Sequence, residues 1–173
     1  MKKLNLKQIC IYALFTAIIA ALAQISIPVA AVNLTLQTFG VCLAGFCLGA
    51  KGSVLSTVVY LALGAAGLPV FSSFRGGISI LLGVSGGFLW GFIFMALFCG
   101  LSTKAKRKPI KIIFMISAVL ICHIMGIIQY SLVSSVGLFA SFVAVSLPFL
   151  LKDFIVVFLT DLIAKRIKKS KII

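Results

Sequence analysis

The sequence predicts an all-α integral membrane protein with six transmembrane helices and with both termini in the cytoplasm. Of its 173 residues, 62% are hydrophobic and only 10% are charged, whereas a soluble domain has about half apolar and about a quarter charged residues. The apolar residues gather in long runs. As a helix, roughly 20 residues cross a hydrocarbon core of about 30 Å, and an open sheet would leave backbone groups unpaired there.

Six apolar runs are candidate spans, and together they form a single membrane domain over residues 1–173. They cover about 9–32, 36–50, 53–71, 80–101, 112–133 and 141–164. The second run is short, and Gly64, Gly67 and Pro69 interrupt the third. Short or broken helices are tolerated at membrane depth where protein or a cavity covers the freed backbone groups. These two runs therefore predict an inward-facing region that lines a ligand cavity.

The basic residues set the orientation, because positively charged short loops stay in the cytoplasm. With the N-terminus inside, the cytoplasmic segments hold every Lys and Arg except Arg75 and Lys152, and Asp153 lies beside the latter. The main cytoplasmic groups are residues 2–7, 104–111 and 165–171. The net charge of +14 thus records orientation in a cell membrane, bacterial or archaeal, and we expect no nucleic-acid partner but contact with membrane lipid.

The N-terminal segment has an alternative interpretation as a cleavable secretory signal. Lys2, Lys3 and Lys7 precede an apolar stretch, and Ala21-Leu22-Ala23 resembles a cleavage site. The apolar run continues beyond that triplet, which favours a first membrane span.

The chain has few groups for catalysis, with two acidic residues and one histidine. It lacks a GxxxxGK phosphate loop, an HExxH motif and a carboxylate pair at helical spacing. We therefore expect no enzyme, no metal site and no cofactor, and any energy source must be external. The alternative is an intramembrane serine protease of the rhomboid type, because Gly83–Gly87 matches GxSxG and Ser85 could pair with His123. Ser85 as a helix cap, and His123 bonded to a neighbouring helix, explain both residues more simply.

Polar residues at the outer ends of the spans predict a small-molecule site. Ionisable groups at membrane depth are costly and indicate function, and Arg75 follows span three while Lys152 and Asp153 open span six. Further polar residues on this side are Asn33, Thr35, Gln37, Thr38, Gln129 and Tyr130. A few convergent polar groups on apolar walls are typical of a ligand pocket, although a surface ion pair is the alternative.

Four sequence motifs lie close together between residues 34 and 92. They are LTLQTFG at 34–40, YLALGAAGLPVF at 60–71, RGG at 75–77 and GVSGGFLWGF at 83–92. This pattern resembles the BioY family of biotin transporters, the substrate-binding (S) components of energy-coupling factor (ECF) vitamin transporters. The resemblance implies six helices, high-affinity binding of biotin from outside, and docking on a transmembrane coupling subunit and two ABC-type ATPases. An S component for another small vitamin is the alternative.

Biotin chemistry assigns roles to the outer residues. Its carboxylate needs a cation, for which Arg75 is the first candidate and Lys152 the second. Asp153 is the candidate acceptor for the ureido N–H groups. The remaining predicted binding residues are Asn33, Thr35, Gln37, Tyr60, Gly76, Gly77, Gly86 and Gly87. The resemblance also implies that Ala13, Ala17 and Ala21 face the coupling subunit.

The chain departs from the family pattern at the last helix. The family usually has an Asp followed three residues later by a Lys, but here Asp153 is followed by Val156 and the lysine is Lys152. Adjacent helical residues point about 100° apart. We therefore expect either an irregular helix start or a larger share of ligand binding for Arg75.

Overall fold

A computed structural model describes residues 5–29 and 32–170. Lys2, Lys3 and Lys171, used above for the orientation, lie outside the described residues, as do Ala30 and Ala31 of the first predicted span. The elements are α1 (Leu6–Gln24), β1 (Ser26–Val29), β2 (Val32–Thr35), α2 (Gln37–Ala65), a 3-10 turn (Ser72–Phe74), α3 (Ile78–Leu82), α4 (Gly86–Ser102), α5 (Lys108–Ser134), α6 (Leu138–Val145) and α7 (Leu147–Lys169).

The C-terminal end of the first predicted span is wrong, although the described chain is mostly helical, as predicted. Helix α1 ends at Gln24, and β1 and β2 follow as an antiparallel pair. Pro28 lacks a backbone N–H and is disfavoured inside a helix, and its β-branched neighbours Ile27 and Val29 favour an extended chain. The paired residues are Ser26 with Thr35, Ile27 with Leu34, Pro28 with Asn33, and Val29 with Val32.

Helix α2 reverses direction at Gly49, whose φ of 72° and ψ of 178° are far from helical values. A straight helix would place Gln37 and Tyr60 roughly 34 Å apart, at about 1.5 Å per residue. Their side chains are nevertheless hydrogen-bonded to each other. Helix α2 therefore consists of two antiparallel arms, which correspond to the predicted spans 36–50 and 53–71, although the second arm ends at Ala65.

Two other predicted spans are broken. The fourth, at 80–101, is divided between α3 and α4, which are separated by the glycine-containing residues 83–85. In the sixth, at 141–164, α6 and α7 meet at Ser146 with a bend of 55°. Pro148 lies in the first turn of α7, where its missing N–H leaves no helical hydrogen bond unmade.

The described helices support a membrane protein. Helices α1, α2 and α5 are each long and apolar enough to cross a membrane, and the bent α6–α7 pair is a fourth candidate. Helix α4 is apolar but shorter. It packs against both α2 and α5, and close approach requires glycine: a Cβ at Gly91 would lie 2.8 Å from the Cys122 Cα. All five cysteines are free.

The two acidic residues lie on the same helix but in different environments. Asp161 accepts a hydrogen bond from Lys111 and forms an ion pair of 2.8 Å with Lys165. This cluster therefore joins α5 to α7 and neutralises Asp161. Asp153, two turns earlier, belongs to the site described below.

We expect Gly49→Ala to lower the thermal unfolding midpoint of the detergent-solubilised protein by several degrees. A residue with a Cβ costs roughly 1–3 kcal/mol at this φ and ψ. Gly137→Ala is the matched control, because Gly137 has a φ of −59° and open space around the site of a Cβ. Equal midpoints for the two variants would show that the reversal does not depend on glycine.

Candidate ligand-binding site

A cavity with about 850 Å³ of empty space, part of it open to solvent, lies where α2 and α4 begin. The basic turn at 103–107 follows the other end of α4. The cavity is lined by Val32, Asn33, Thr35, Gln37, Thr38, Phe71, Ser72, Arg75, Ile80, Val84, Ser85, Phe88, Leu89, Phe92, Cys122, Phe149, Lys152 and Asp153. Six of the predicted binding residues are thereby brought together: Asn33, Thr35, Gln37, Arg75, Lys152 and Asp153.

Lys152 and Asp153 form an ion pair at the cavity wall. The Lys152 Nζ lies 2.7 Å from the Asp153 Oδ1 and also donates a hydrogen bond of 3.1 Å to the backbone oxygen of Thr35. Helix α7 is regular at this point, and the long lysine side chain overcomes the angular offset between neighbouring residues. Lys152 therefore shares the cavity with Asp153 and fastens β2 to α7.

Asp153 is buried, with 6% of its surface exposed. Its Oδ2 lies 3.2 Å from the His123 Nε2. Its Oδ1 lies beside the Lys152 Nζ, and no other donor among the described residues reaches it. A buried carboxylate oxygen in this state is suited to accept a hydrogen bond from a ligand.

His123 does not form the predicted alternative pair with Ser85. Its Nδ1 lies 2.8 Å from the Ser146 Oγ and its Nε2 faces Asp153, so both ring nitrogens are occupied. Ser146 is only 1% exposed and is absent from the cavity wall. Although serine, histidine and aspartate are in contact, the serine of this group is not presented to the cavity.

The mouth loop, residues 71–75, holds Arg75 at the open side. The Phe71 N–H donates to the Arg75 backbone oxygen at 2.9 Å. Inside this turn, Ser73 and Phe74 have φ values of 60° and 54°, a conformation that side chains rarely adopt unless their surroundings enforce it.

Two side chains from neighbouring elements enforce that conformation. The Gln24 amide donates to the backbone oxygens of Val70 and Phe71, each at 3.2 Å, and accepts from the Phe74 N–H at 2.9 Å. The Asn33 amide donates to the Ser73 Oγ at 3.0 Å. The last turn of α1 and strand β2 therefore fix the mouth loop.

Arg75 carries a positive charge that no acidic side chain of the described residues balances. Its guanidinium donates only to Ser72, at 3.2 Å to the backbone oxygen and 3.4 Å to the hydroxyl. Since Lys152 is balanced by Asp153, the cavity has one excess positive charge. This charge favours an anionic ligand group at the mouth.

Aromatic side chains form much of the remaining wall. Phe71, Phe88, Phe92 and Phe149 line the cavity, and the Phe88 ring meets His123 edge to face at 5.7 Å. The sequence analysis expected apolar walls but did not name these residues. With fifteen phenylalanines in the chain, only the reversal of α2 and the break before α4 select these four.

The other predicted binding residues do not line the cavity. Tyr60 accepts a hydrogen bond from Gln37 and donates to the Val70 oxygen at 3.2 Å, so it supports the wall from behind. The four glycines serve close backbone packing or special backbone conformations. A Cβ at Gly76 would meet the backbone of Gly67 and Leu68, one at Gly86 the Leu81 oxygen, and one at Gly87 the Met125 oxygen, while Gly77 has a φ of 103°.

Gln129 and Tyr130, two further polar residues predicted on the outer side, do not line the cavity. The Gln129 amide donates to the Leu81 and Gly83 oxygens at 2.8 and 2.9 Å and so anchors the end of α3. Tyr130 is also absent from the cavity wall. Sequence reasoning missed Gln24 and Ser146, since a polar residue near a helix end carries no distinctive pattern.

The fold and this cavity define a helical membrane protein built to bind a small ligand. The family model described as "BioY family" matches residues 1–172, and the chain therefore belongs to that family, as the sequence strings predict. A probable biotin transporter BioY of Pyrococcus horikoshii is 35% identical over 94% of this chain and 96% of its own length. The biotin transporter BioY of Rhodobacter capsulatus is 34% identical over 95% of both chains.

A solved structure has the same fold. It is described as the S-component for biotin from an ECF-type ABC transporter, and it matches with a TM-score of 0.83 and 31% sequence identity. The match covers 94% of this chain and 91% of that chain. The family is one of transporters, and the matched structure belongs to a substrate-binding component.

We expect Gln24→Leu to accelerate amide exchange at Phe74 by about tenfold or more, because the loop loses three hydrogen bonds to a side chain. Hydrogen exchange followed by NMR or mass spectrometry measures this. Gln8→Leu is the control, since the Gln8 side chain bonds only to the nearby Asn5 N–H on the same helix. Unchanged protection at Phe74 would contradict the assigned role of Gln24.

Proposed function

We propose that the chain is the high-affinity biotin-binding S component of an ECF-type transporter in the cell membrane. Family membership and the names of the relatives support this function. The observation that carries it is the cavity, which combines an unbalanced guanidinium at its mouth with a buried carboxylate whose Oδ1 meets only Lys152 among the described residues. Biotin has the matching groups, a carboxylate on a flexible chain and a ureido ring with two N–H groups.

The two polar ends of biotin fit different parts of the cavity. Arg75 binds the carboxylate, because a free guanidinium can donate two parallel hydrogen bonds. The Asp153 Oδ1 accepts from a ureido N–H, and the aromatic walls cover the fused rings. Lys152 is the second candidate cation for the biotin carboxylate, since Asp153 already balances the charge of Lys152. Asn33, Thr35 and Gln37 are secondary contacts.

We further propose six spans in one domain over residues 1–173, with both termini in the cytoplasm. Counting the two arms of α2 separately gives six helical segments: α1, the two α2 arms, α4, α5 and the α6–α7 pair. The basic turn at 103–107 and the cavity lie at opposite ends of α4, which supports a cavity that opens to the outside.

Energy for uptake comes from partner subunits in this proposal. A transmembrane coupling subunit and two ABC-type ATPases supply ATP hydrolysis, and the chain itself is not an enzyme. Ala13, Ala17 and Ala21 are all exposed on one side of α1. Small residues four apart allow close helix approach in lipid, so this alanine face suits the coupling subunit.

A binding titration of the detergent-purified protein tests the function. We expect biotin to bind, and lipoate, thiamine and riboflavin to bind far more weakly. Binding of one of the other vitamins in place of biotin would support the alternative S component, and no binding of any would contradict the proposed function.

The site is tested by Arg75→Ala and Asp153→Asn, each of which we expect to weaken biotin binding by about 10- to 100-fold, the usual range for a lost charged hydrogen bond. Arg107→Ala, in the basic turn, is the charge-matched control. Ser85→Ala should bind almost normally, since Ser85 is not part of a catalytic pair. Unchanged affinity in both site variants would refute the site but not the function.

The docking face is tested by Ala17→Leu. We expect biotin binding to persist and biotin uptake in cells that also express the coupling module to fall at least several-fold, because the larger side chain prevents close approach. Ala140→Leu, another exposed helical alanine, is the matched control. Normal uptake and co-purification with the module in Ala17→Leu would rule out this face.

A further inference from the structure

A buried chain of hydrogen bonds leads away from the ligand cavity through Asp153. It runs from the Asp153 Oδ2 to the His123 Nε2 at 3.2 Å, and from the His123 Nδ1 to the Ser146 Oγ at 2.8 Å. His123 is 2% and Ser146 1% exposed. This series of hydrogen bonds connects α5 to the bend between α6 and α7. Neither His123 nor Ser146 is among the proposed ligand contacts.

The hydrogen-bond partners of His123 indicate which of its ring nitrogens carries the proton. The Asp153 carboxylate accepts hydrogen bonds, so the Nε2 must carry a proton. The Ser146 hydroxyl then donates to an unprotonated Nδ1, which completes the hydrogen bonding of a neutral ring.

We propose that His123 is a positioning residue for ligand recognition, held in the Nε2–H tautomer by Asp153 and in its orientation by Ser146. By occupying the Oδ2, it prevents the carboxylate from rotating and directs the Oδ1 to the cavity. The inference rests on the proposed function and deepens it: the selected ligand must supply an N–H donor, as a cyclic urea does.

This arrangement explains why the Oδ1 stays available. Lys152 neutralises the carboxylate from one side and is itself tied to the Thr35 backbone oxygen. Phe88 packs edge to face on the His123 ring and limits its movement. The Asp153 Oδ1 is therefore held beside Lys152 at the cavity wall.

His123 is the one histidine of the chain, so ¹⁵N-histidine labelling gives a single imidazole spectrum. We expect the chemical shifts of the Nε2–H tautomer at neutral pH in the native protein and in Ser146→Ala, where Asp153 still requires the Nε2 proton, and a displaced Nδ1 resonance in Ser146→Ala because its hydrogen bond is lost. Ser141→Ala is the control, because Ser141 is also buried but bonds only to the Gly137 oxygen in its own helix region, at 3.0 Å. A protonated ring or the opposite tautomer in the native protein would overturn the proposal.

Biotin affinity provides the second measurement. We expect His123→Leu to weaken biotin binding by about tenfold or more, and Ser146→Ala to weaken it less. His123→Gln can donate to Asp153 and accept from Ser146, so we expect it to retain more affinity than His123→Leu. A biotin analogue methylated at both ureido nitrogens should bind the native protein and His123→Leu equally weakly. Thermal unfolding identifies any variant that fails to fold.

A double-mutant cycle with Asp153→Asn separates positioning from general stability. If His123 acts through Asp153, adding His123→Leu to Asp153→Asn produces little further loss. Additive losses, or native affinity in folded His123→Leu, would overturn the proposal. If Asp153→Asn alone binds biotin normally, the proposed site itself is wrong, so the two failures are distinguishable.

Discussion

The burial of one carboxylate constrains much of this protein. An unpaired charge away from water costs on the order of several kcal/mol, so Asp153 requires partners, and those partners come from three different elements. Lys152 supplies the charge, His123 the hydrogen bond, and β2 holds the lysine through the Thr35 oxygen. Removing any of these leaves a buried polar group unsatisfied. The same requirement keeps the cavity wall together in the absence of ligand.

Composition and charge were sufficient to predict a membrane protein, and the glycine-rich strings were sufficient to predict its family. The predicted division between spans 36–50 and 53–71 falls beside the reversal at Gly49. The second run contributes Gln37 and Thr38 to the cavity wall, whereas Gly64, Gly67 and Pro69 do not line it. The first span failed where one residue overrides hydropathy, because Pro28 turns an apolar continuation into a strand. Apolar content measures burial in lipid and contains little information about where a backbone turns.

Six of the eleven predicted binding residues line the cavity, and the difference from the other five has a physical basis. Ionisable and polar side chains at membrane depth are costly, so their positions indicate function. Glycines such as Gly76 and Gly87 are required for a different reason, because their backbones touch carbonyl groups of neighbouring segments. His123 was assigned to helix bonding from sequence. That assignment was correct, but its partner could be identified only after α5 and α7 were placed side by side.

Helix α1 links the mouth loop to the face that we propose for docking. Its last residue, Gln24, holds the mouth loop through three hydrogen bonds, and its exposed alanines lie along the same helix. Under the proposed docking, a tilt of α1 against the coupling subunit would displace the loop that carries Arg75. Such a tilt would weaken the binding of an anionic ligand group without any change in the aromatic walls.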